Sequence, residues 1–236
     1  MGDWQSGVLF GAGSTVVHMI RLEQVSKRFR TPTGDKVVAD NITMTFPRGL
    51  SIGLMGRNGA GKSTLMEIIA GQTQPDSGHV IREGTISWPV GFAGSFHKDL
   101  TGAQNIRFVA RVYGVDTDSL MAFVQGFADL GPHLDAPVRT YSSGMRARLA
   151  FAVSVGIPFD TYLIDEVTSV GDAAFRGHSQ AVLQYRLKSA GAIVVTHSLK
   201  QLRALCDAAI ILENGRLTFF DDLEDAIEQH KSNLVD

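Results

Sequence analysis

The segment 56–64 constrains the fold of this chain more than any other. An apolar run, Leu50–Met55, precedes it and predicts a buried strand. The run Leu65–Ala70 follows it and predicts a helix that ends at Gly71. Between them the sequence fits the pattern G-x-x-x-x-G-K-[ST] of a phosphate-binding P-loop. The residues of the pattern are Gly56, Arg57, Asn58, Gly59, Ala60, Gly61, Lys62, Ser63 and Thr64.

Each residue type in this pattern has a role in holding an anion. Glycine has no Cβ, so successive backbone N–H groups can turn toward one ligand. The helix that follows points its positive end toward the same place. Lys62 would supply a mobile cation for the outer phosphates, and the Ser63 hydroxyl an oxygen for Mg²⁺. The flanking strand and helix disfavour the alternative, a glycine-rich turn with an unrelated lysine.

The composition limits the kinds of partner to consider. The 236 residues are 44% hydrophobic and 19% charged, enough for one domain with a core and a subdomain. A net charge of −2 supplies no basic field, so nucleic acid is not an expected partner. The single cysteine, Cys206, excludes an internal disulfide. The longest apolar run, Leu149–Phe159, is too short to cross a membrane, so a membrane role would need a partner.

Strand and helix patterns alternate along most of the chain. Residues 1–18 lack the pattern of a secretion signal, and we interpret them as an extension before a domain at 19–236. Strands are predicted at 20–25, 36–40, 42–46, 161–164, 191–197 and 208–212, with a strand pair at 78–81 and 84–87. The middle third, about 93–156, is mostly helical. We therefore predict an α/β fold with a parallel sheet, an N-terminal antiparallel β subdomain and an inserted α-helical subdomain.

Three predicted strand ends carry polar groups, and ligands of parallel sheets bind at the carboxyl ends of strands. One end is the P-loop. The second carries Asp165, our candidate for holding Mg²⁺, and Glu166, our candidate for orienting or deprotonating an attacking water. The third carries His197. The alternatives are two solvated acids and a hydrogen-bonded core histidine.

A further helix start lies in the predicted helical subdomain, at Tyr141–Met145. The apolar positions of this helix predict one buried face: Met145, Leu149, Ala152 and Gly156. Taken alone, Ser143 is best interpreted as its N-cap. A helix start with free N–H groups and hydroxyls is also a phosphate site. If the helical subdomain projects away from the P-loop, that phosphate would belong to a partner chain.

In order and spacing, these motifs resemble those of the ATP-binding subunits of ABC transporters, over about residues 19–230. Gly56–Thr64 resembles the Walker A motif, and Tyr162–Glu166 the Walker B motif with its following glutamate. Ser169–Asp172 stands where the D-loop stands, and His197 where the switch histidine stands. The signature sequence corresponds to Ser142, Ser143, Gly144 and Met145.

This resemblance implies a P-loop NTPase fold of the ABC type with ATP and Mg²⁺ as ligands. It implies catalytic roles for Lys62, Glu166 and His197, and metal contacts from Ser63 and Asp165. It also implies nucleotide contacts from the signature residues, Asp172 and the P-loop. Phe29 would be the adenine-stacking aromatic, with ordinary packing as the alternative.

Shorter segments narrow the resemblance to bacterial exporters of capsular polysaccharide. They are 30–34, 86–91, 100–102 with Asn105, and 141–148. Exporters of O-antigen or teichoic acid are similar. Some O-antigen exporters append a carbohydrate-binding domain, and the end of this chain soon after the fold closes favours the capsule type.

The resemblance implies a homodimer at the cytoplasmic face of the bacterial inner membrane that powers export of a lipid-linked capsular polysaccharide. A polytopic permease would dock near Trp88–Phe96, which could instead be core of the helical subdomain. Periplasmic or outer-membrane export components would be reached through the permease. The alternatives are a soluble ABC ATPase acting on ribosomes or DNA, and a P-loop kinase or GTPase, which the signature helix and His197 disfavour.

The sequence departs from the family pattern in three places. Val167 replaces the proline that usually follows Walker B. The end of the signature is altered around Gly144-Met145. No glutamine stands at the expected position near Gly91-Phe92, and Gln104 falls in the next predicted helix.

Overall fold

In a computed structural model of the chain, the residues described are 18–32, 34–92, 94, 96–165 and 173–235. The chain divides into two units. The first unit takes residues 1–87, 159–166 and 187–236, and the second takes 88–158 and 167–186. No helix within the described ranges has the length and apolar character needed to span a membrane.

The strands are β1 (His18–Thr31), β2 (Gly34–Pro47), β3 (Ser51–Met55), β4 (Ser77–Arg82), β5 (Ile86–Pro89), β6 (Thr161–Asp165), β7 (Gly191–Val195), β8 (Ala208–Glu213) and β9 (Arg216–Phe220). The α-helices are α1 (Lys62–Ala70), α2 (Gly102–Tyr113), α3 (Thr117–Ala128), α4 (Ser143–Gly156), α5 (Ala173–Leu187), α6 (Leu199–Leu205) and α7 (Leu223–Val235). Gly131–Asp135 and Val138–Thr140 are short 3-10 helices.

The larger sheet has six strands in the order β5-β6-β7-β3-β8-β9. Strands β6, β7, β3 and β8 run parallel, and β9 returns antiparallel to β8. The turn between β8 and β9 is Asn214-Gly215, whose φ angles of 48° and 76° are those of a tight hairpin. The predicted α/β architecture with a parallel sheet is confirmed.

The smaller sheet is antiparallel, with the order β2-β1-β4, and it corrects two strand predictions. The segments 36–40 and 42–46 belong to one long strand, β2. Asn41, with φ of 52°, makes an irregularity inside it and donates its N–H to Ser26 Oγ at 3.0 Å. The predicted pair at 78–81 and 84–87 does not form, because β4 pairs with β1 while β5 joins the larger sheet beside β6.

The core of the first unit lies between the P-loop helix and both sheets. Leu54 of β3 and Ile68 of α1 are both at most 2% exposed, and they belong to one cluster with residues of β1, β2 and β8. Arg82 of β4 donates to the carbonyls of Ile68 at 2.6 Å and Ile69 at 2.7 Å. These bonds satisfy carbonyls in the last turn of α1, which ends at Gly71 with φ of 77°. The P-loop helix is therefore held along its length.

The second unit is built on α2, α3, α4 and most of α5. Its core includes Phe127, whose ring centroid lies 5.8 Å from that of Phe151 and 5.3 Å from that of Phe175. The prediction of a single buried face on α4 is wrong, because every residue from Leu149 to Val155 is buried. The unit begins at Trp88, and its described residues after 158 are those of α5 up to Arg186; the helical subdomain at about 93–156 falls within it. Of the predicted extension 1–18, only His18 is described, and it begins β1.

Asp160 joins two distant parts of the first unit. Its Oδ2 accepts from the N–H of Thr85 at 2.9 Å and the hydroxyl of Thr85 at 2.8 Å, and its Oδ1 from Arg48 at 2.8 Å. The bonds from Thr85, followed by the charge of Arg48, hold the pKa of Asp160 below its ordinary value.

We expect Asp160→Asn to lower the free energy of unfolding by about 1–2 kcal/mol at neutral pH, because one acceptor and a charge are lost. A lowered folded-state pKa stabilises the fold fully above the unfolded pKa of about 4, and this contribution is lost as the pH falls through the folded pKa. Urea denaturation at about pH 7 and about pH 3 measures it. The difference in free energy of unfolding between parent and variant should be smaller at the acid pH. An equal difference at both pH values would contradict the assignment. Asp99→Asn, at an exposed acid 3.8 Å from Arg139, is the matched control and should change stability little.

Candidate functional site: the P-loop cleft

The P-loop takes its shape from glycines that other residues could not replace. Gly56, Gly59 and Gly61 have φ angles of 148°, 80° and 106°. A Cβ at Gly56 would lie 2.4 Å from Leu212 O, and one at Gly61 would lie 2.5 Å from Val38 Cγ1. Both positions therefore need glycine for its backbone conformation and for space.

Lys62 folds back over the loop from the first turn of α1. Its Nζ donates to Gly56 O at 2.7 Å and to Arg57 O at 3.1 Å. These carbonyls are neutral, so they orient the ammonium group without cancelling its charge. The lysine therefore stands beside the loop as a positioned cation, as the P-loop pattern predicts.

The candidate metal ligands lie together at the carboxyl ends of the strands. Ser63 Oγ donates to Asp165 Oδ2 at 3.3 Å. Asp165 ends β6 and pairs in register with Val195, the last residue of β7. A hydroxyl and a carboxylate this close are hard oxygen donors of the kind that Mg²⁺ prefers, so these residues fit the ion.

His197 lies two residues beyond the end of β7 and is exposed. The next turn of the chain is held by hydrogen bonds, because Thr196 Oγ1 donates to Gln201 Oε1 at 2.7 Å and accepts from the N–H of Ser198 at 3.1 Å. Ser198 caps α6. The strand end and the cap together fix the backbone that carries His197.

These groups line one cleft of about 530 Å³ in the first unit. Its described lining is Lys36, Asn58, Gly59, Gly61, Lys62, Ser63, Thr64, Asp165, Val195 and His197. The structure thus brings together the P-loop, the candidate metal ligand and the candidate switch histidine. A volume of this size lies within the range of small-ligand sites.

Three P-loop residues have other surroundings. Gly56 is buried and offers its carbonyl to Lys62. Ala60 donates its N–H to Arg57 O at 3.1 Å, which closes the turn of the loop. The Arg57 guanidinium turns away to α7, where it donates to Asn233 O at 3.3 Å.

The C-terminal helix α7 approaches the P-loop, which sequence patterns did not predict. Asn233 donates to Glu213 Oε2 at 2.7 Å in addition to its contact with Arg57. Burial lowers the pKa of His230, the nearby charges of Lys62 and His197 lower it further, and Glu213 opposes them. Helical periodicity predicts such a helix but carries no information on what it contacts.

Lys36 also lies at the site, although it belongs to none of the sequence motifs. It lies on β2 opposite Phe29 of β1 and belongs to the lining of the cleft. Phe29 is 40% exposed and is not among the described residues that line the cleft. Lys27 Nζ lies 5.3 Å from the Phe29 ring centroid. The role of Phe29 in adenine stacking stays a prediction.

The predicted signature residues begin α4 in the second unit. The N-cap is Ser142, whose Oγ accepts from the N–H of Met145 at 3.2 Å, so the prediction of Ser143 as the cap is wrong. Ser142 and Ser143 are exposed, and a Cβ at Gly144 would meet only Ser142 Oγ, at 3.9 Å. This end of α4 is accessible, whereas its other end is buried.

The described residues bear on one departure from the family pattern, the glutamine missing near Gly91. Gln104 is the third residue of α2, where it forms a capping box with Thr101, and this use explains a glutamine at that position. The segment near Gly91 is held by bonds from Gly91 N to Ser154 Oγ at 3.3 Å and from Phe92 N to Pro89 O at 3.0 Å. Glu166, Val167 and the D-loop residues through Asp172 lie outside the described residues.

The segment Trp88–Phe96 is divided between core and surface. Trp88, Val90 and Phe96 are buried, whereas Phe92 is 51% exposed. The Trp88 ring packs against Tyr113 of α2 with 5.0 Å between centroids. The core interpretation is therefore confirmed for Trp88, Val90 and Phe96, and docking of a permease on this segment stays a prediction.

Comparison with known proteins agrees with this geometry. A family model described as ABC transporter matches residues 39–169. The polysialic acid transport ATP-binding protein KpsT of Escherichia coli is 46% identical over 219 residues, which cover 92% of this chain and 100% of the relative. The capsule polysaccharide export ATP-binding protein CtrD of Neisseria meningitidis is 45% identical, with coverage of 91% and 99%. An O-antigen export system ATP-binding protein, RfbB of Klebsiella pneumoniae, is 35% identical, with coverage of 89% and 87%.

Solved structures share the fold. An ATP-binding subunit of an ABC transporter superposes with a TM-score of 0.75 at 22% identity and covers 92% of this chain and 100% of its own. A dimeric ATP-binding cassette, MJ0796, in a post-hydrolysis state with ADP and Pi superposes with a TM-score of 0.71 at 20% identity, with coverage of 84% and 96%. The family match over more than half of the chain, together with the identities to curated relatives, shows that this chain belongs to the ABC transporter family as an ATP-binding, ATPase-type subunit.

Proposed function

We propose that the chain is the ATP-hydrolysing subunit of a bacterial exporter of lipid-linked capsular polysaccharide. The observation that supports ATP hydrolysis is the convergence of Lys62, Ser63 and Asp165 on one cleft. The capsule assignment is supported by identities of 44–46% to capsule or polysialic acid export subunits, against 35% to an O-antigen subunit. Export of O-antigen or teichoic acid is accordingly the weaker alternative.

The proposed reaction is an in-line attack of water on the γ-phosphorus. A bond forms from the water oxygen to phosphorus, the bond to the β,γ-bridging oxygen breaks, and ADP leaves with the electron pair. Glu166 orients the water and takes its proton. Lys62 and His197 stabilise negative charge on the γ-phosphate oxygens. When bound by Ser63 and Asp165, Mg²⁺ would neutralise charge on the β- and γ-phosphates.

The proposed active form is a homodimer. In it, the exposed start of α4 completes the nucleotide site of the other copy, so that Ser142–Met145 of the partner subunit face the γ-phosphate. A helix N-terminus with exposed hydroxyls suits this role because its N–H groups and dipole favour phosphate. Asp172 would lie at the same interface. Nucleotide binding closes the dimer, and hydrolysis reopens it.

The proposed partner is a polytopic permease, which would hold the chain at the cytoplasmic face of the inner membrane and connect it to periplasmic and outer-membrane components. Phe92 is the exposed aromatic of the predicted docking segment. Tyr113 of α2, 42% exposed, packs on Trp88 of the same segment. Exposed aromatic side chains such as these are candidates for an interaction site.

We expect Glu166→Gln to bind ATP but hydrolyse it about a hundredfold or more slowly, because the general base is removed. The variant should accumulate as an ATP-bound dimer. Phosphate release and size-exclusion chromatography with ATP measure the two effects. Hydrolysis at the parental rate would exclude this role for Glu166.

Two variants provide the comparison for that experiment. Lys62→Ala should lose ATP affinity and stay monomeric with ATP, because the P-loop would lack its cation for the phosphates. Glu224→Gln changes an exposed acid on α7 that pairs with Arg203 at 2.6 Å, and it should hydrolyse ATP like the parent.

We expect Phe92→Glu to abolish co-purification of the tagged chain with a polytopic protein from detergent-solubilised membranes, because a buried charge would be left without a partner. Tyr185→Glu is the matched control, since Tyr185 is a 69% exposed aromatic on α5 of the same unit. Mass spectrometry identifies the captured proteins. Recovery of ribosomes in place of a membrane protein would favour the soluble ABC alternative, and equal recovery by both variants would remove Phe92 from the interface.

A further inference from the structure

Lys36 occupies a place in the cleft that the nucleotide-binding motifs do not account for. It is separated from the P-loop by the length of β2, and it reaches the cleft because β2 folds back against β1. Its register partner on β1 is Phe29. The residue therefore lies beside the predicted adenine-stacking aromatic and along the cleft that the P-loop forms.

The ammonium group of Lys36 faces the loop at one defined point. Its Nζ lies 3.8 Å from the position that a Cβ at Gly59 would occupy. Gly59 has φ of 80° and is itself part of the lining of the cleft. Lys36 thus meets the loop at a residue that lines the cleft, whereas Lys62 is tied to the carbonyls of Gly56 and Arg57.

Lys36 differs from the basic residues of β1 in its ion pairing. Lys27 is neutralised by Asp76, with 2.8 Å between Nζ and Oδ1. Arg28 lies 3.6 Å from Asp40. Among the described ranges of the chain, no carboxylate forms an ion pair with Lys36. Its charge thus remains available to an anion that enters the cleft.

We propose that Lys36 is a second cation of the nucleotide site, one that contacts the polyphosphate of the bound nucleotide. The inference rests on the proposed function of the P-loop cleft. The flexible four-carbon stem and compact charge of lysine suit a contact that forms when the ligand arrives. Lys36 is exposed, so solvent screens the contact and its effect is smaller than that of Lys62.

A charge series at position 36 tests this role. Lys36→Gln should weaken the binding of ATP and ADP by about three- to tenfold, as expected for one solvent-screened, charge-assisted contact. Lys36→Arg should bind like the parent, and Lys36→Glu should bind more weakly than Lys36→Gln. Lys188→Gln is the matched control, because Lys188 is exposed and precedes the start of β7, whereas the cleft lies at the carboxyl end of that strand. Isothermal titration calorimetry with each nucleotide gives the dissociation constants.

Ionic strength separates a charge effect from a packing effect. The difference in nucleotide affinity between the parent and Lys36→Gln should become smaller as salt is raised from roughly 0.05 M to 0.5 M, because the Debye length shortens. A gap that does not change with salt, or an equal loss for Gln and Arg, would show that the lysine stem only packs and would overturn the proposal.

The same measurements distinguish a wrong role for Lys36 from a wrong location of the nucleotide site. If Lys62→Ala loses binding while Lys36→Gln binds ATP like the parent, the proposed function stands and the role of Lys36 is excluded. If Lys62→Ala binds ATP like the parent, the P-loop cleft is not the nucleotide site, and both proposals fail.

Discussion

The close approach of three backbone segments at Gly56 and Gly61 is the constraint on which the rest of the site depends. Only the absence of a Cβ lets the loop pass Leu212 O at the end of β8 and the side chain of Val38 on β2. These neighbours come from opposite ends of the sequence. The loop is therefore shaped by the first unit as a whole, and α1 starts where both sheets have already fixed its direction. Lys62 and Ser63 receive their positions from that start.

Strand order then decides which acid can reach the loop. In the sheet β7 lies between β6 and β3, so Asp165 is not on a strand adjacent to the one that enters the P-loop. The bond from Ser63 Oγ to Asp165 forms because α1 begins beyond the end of β3 and carries Ser63 across the end of β7. Val195, the residue between them, lines the cleft for the same reason. A change in the order of these strands would separate the two oxygen donors while leaving every motif intact.

Features encoded by neighbouring residues could be predicted from the sequence, whereas features that depend on distant contacts could not. The strand, loop and helix around Gly56–Thr64 and the turn at Asn214-Gly215 follow from local glycine and apolar patterns. The pairing of β4 with β1 does not follow from local patterns, because the sequence of a short strand does not specify which sheet it joins. The burial of α4 on all sides is set by its neighbours in the second unit and not by its own periodicity. Lys36 was missed because its relation to Gly59 exists only after β2 has paired with β1.

The distribution of charge shows why a net value describes such a chain poorly. The sum of −2 argues against a bulk attraction for nucleic acid, yet the cleft collects Lys36, Lys62 and His197 around the single described acid in its lining, Asp165. Elsewhere basic groups are neutralised in place, as Lys27 is by Asp76 and Arg203 by Glu224. Pairing away from the cleft leaves a lining in which the lysines Lys36 and Lys62 outnumber the one described acid, in a chain that is nearly neutral. Such a lining suits a compact, densely charged anion, which is the chemistry of the nucleotide polyphosphate proposed as its ligand.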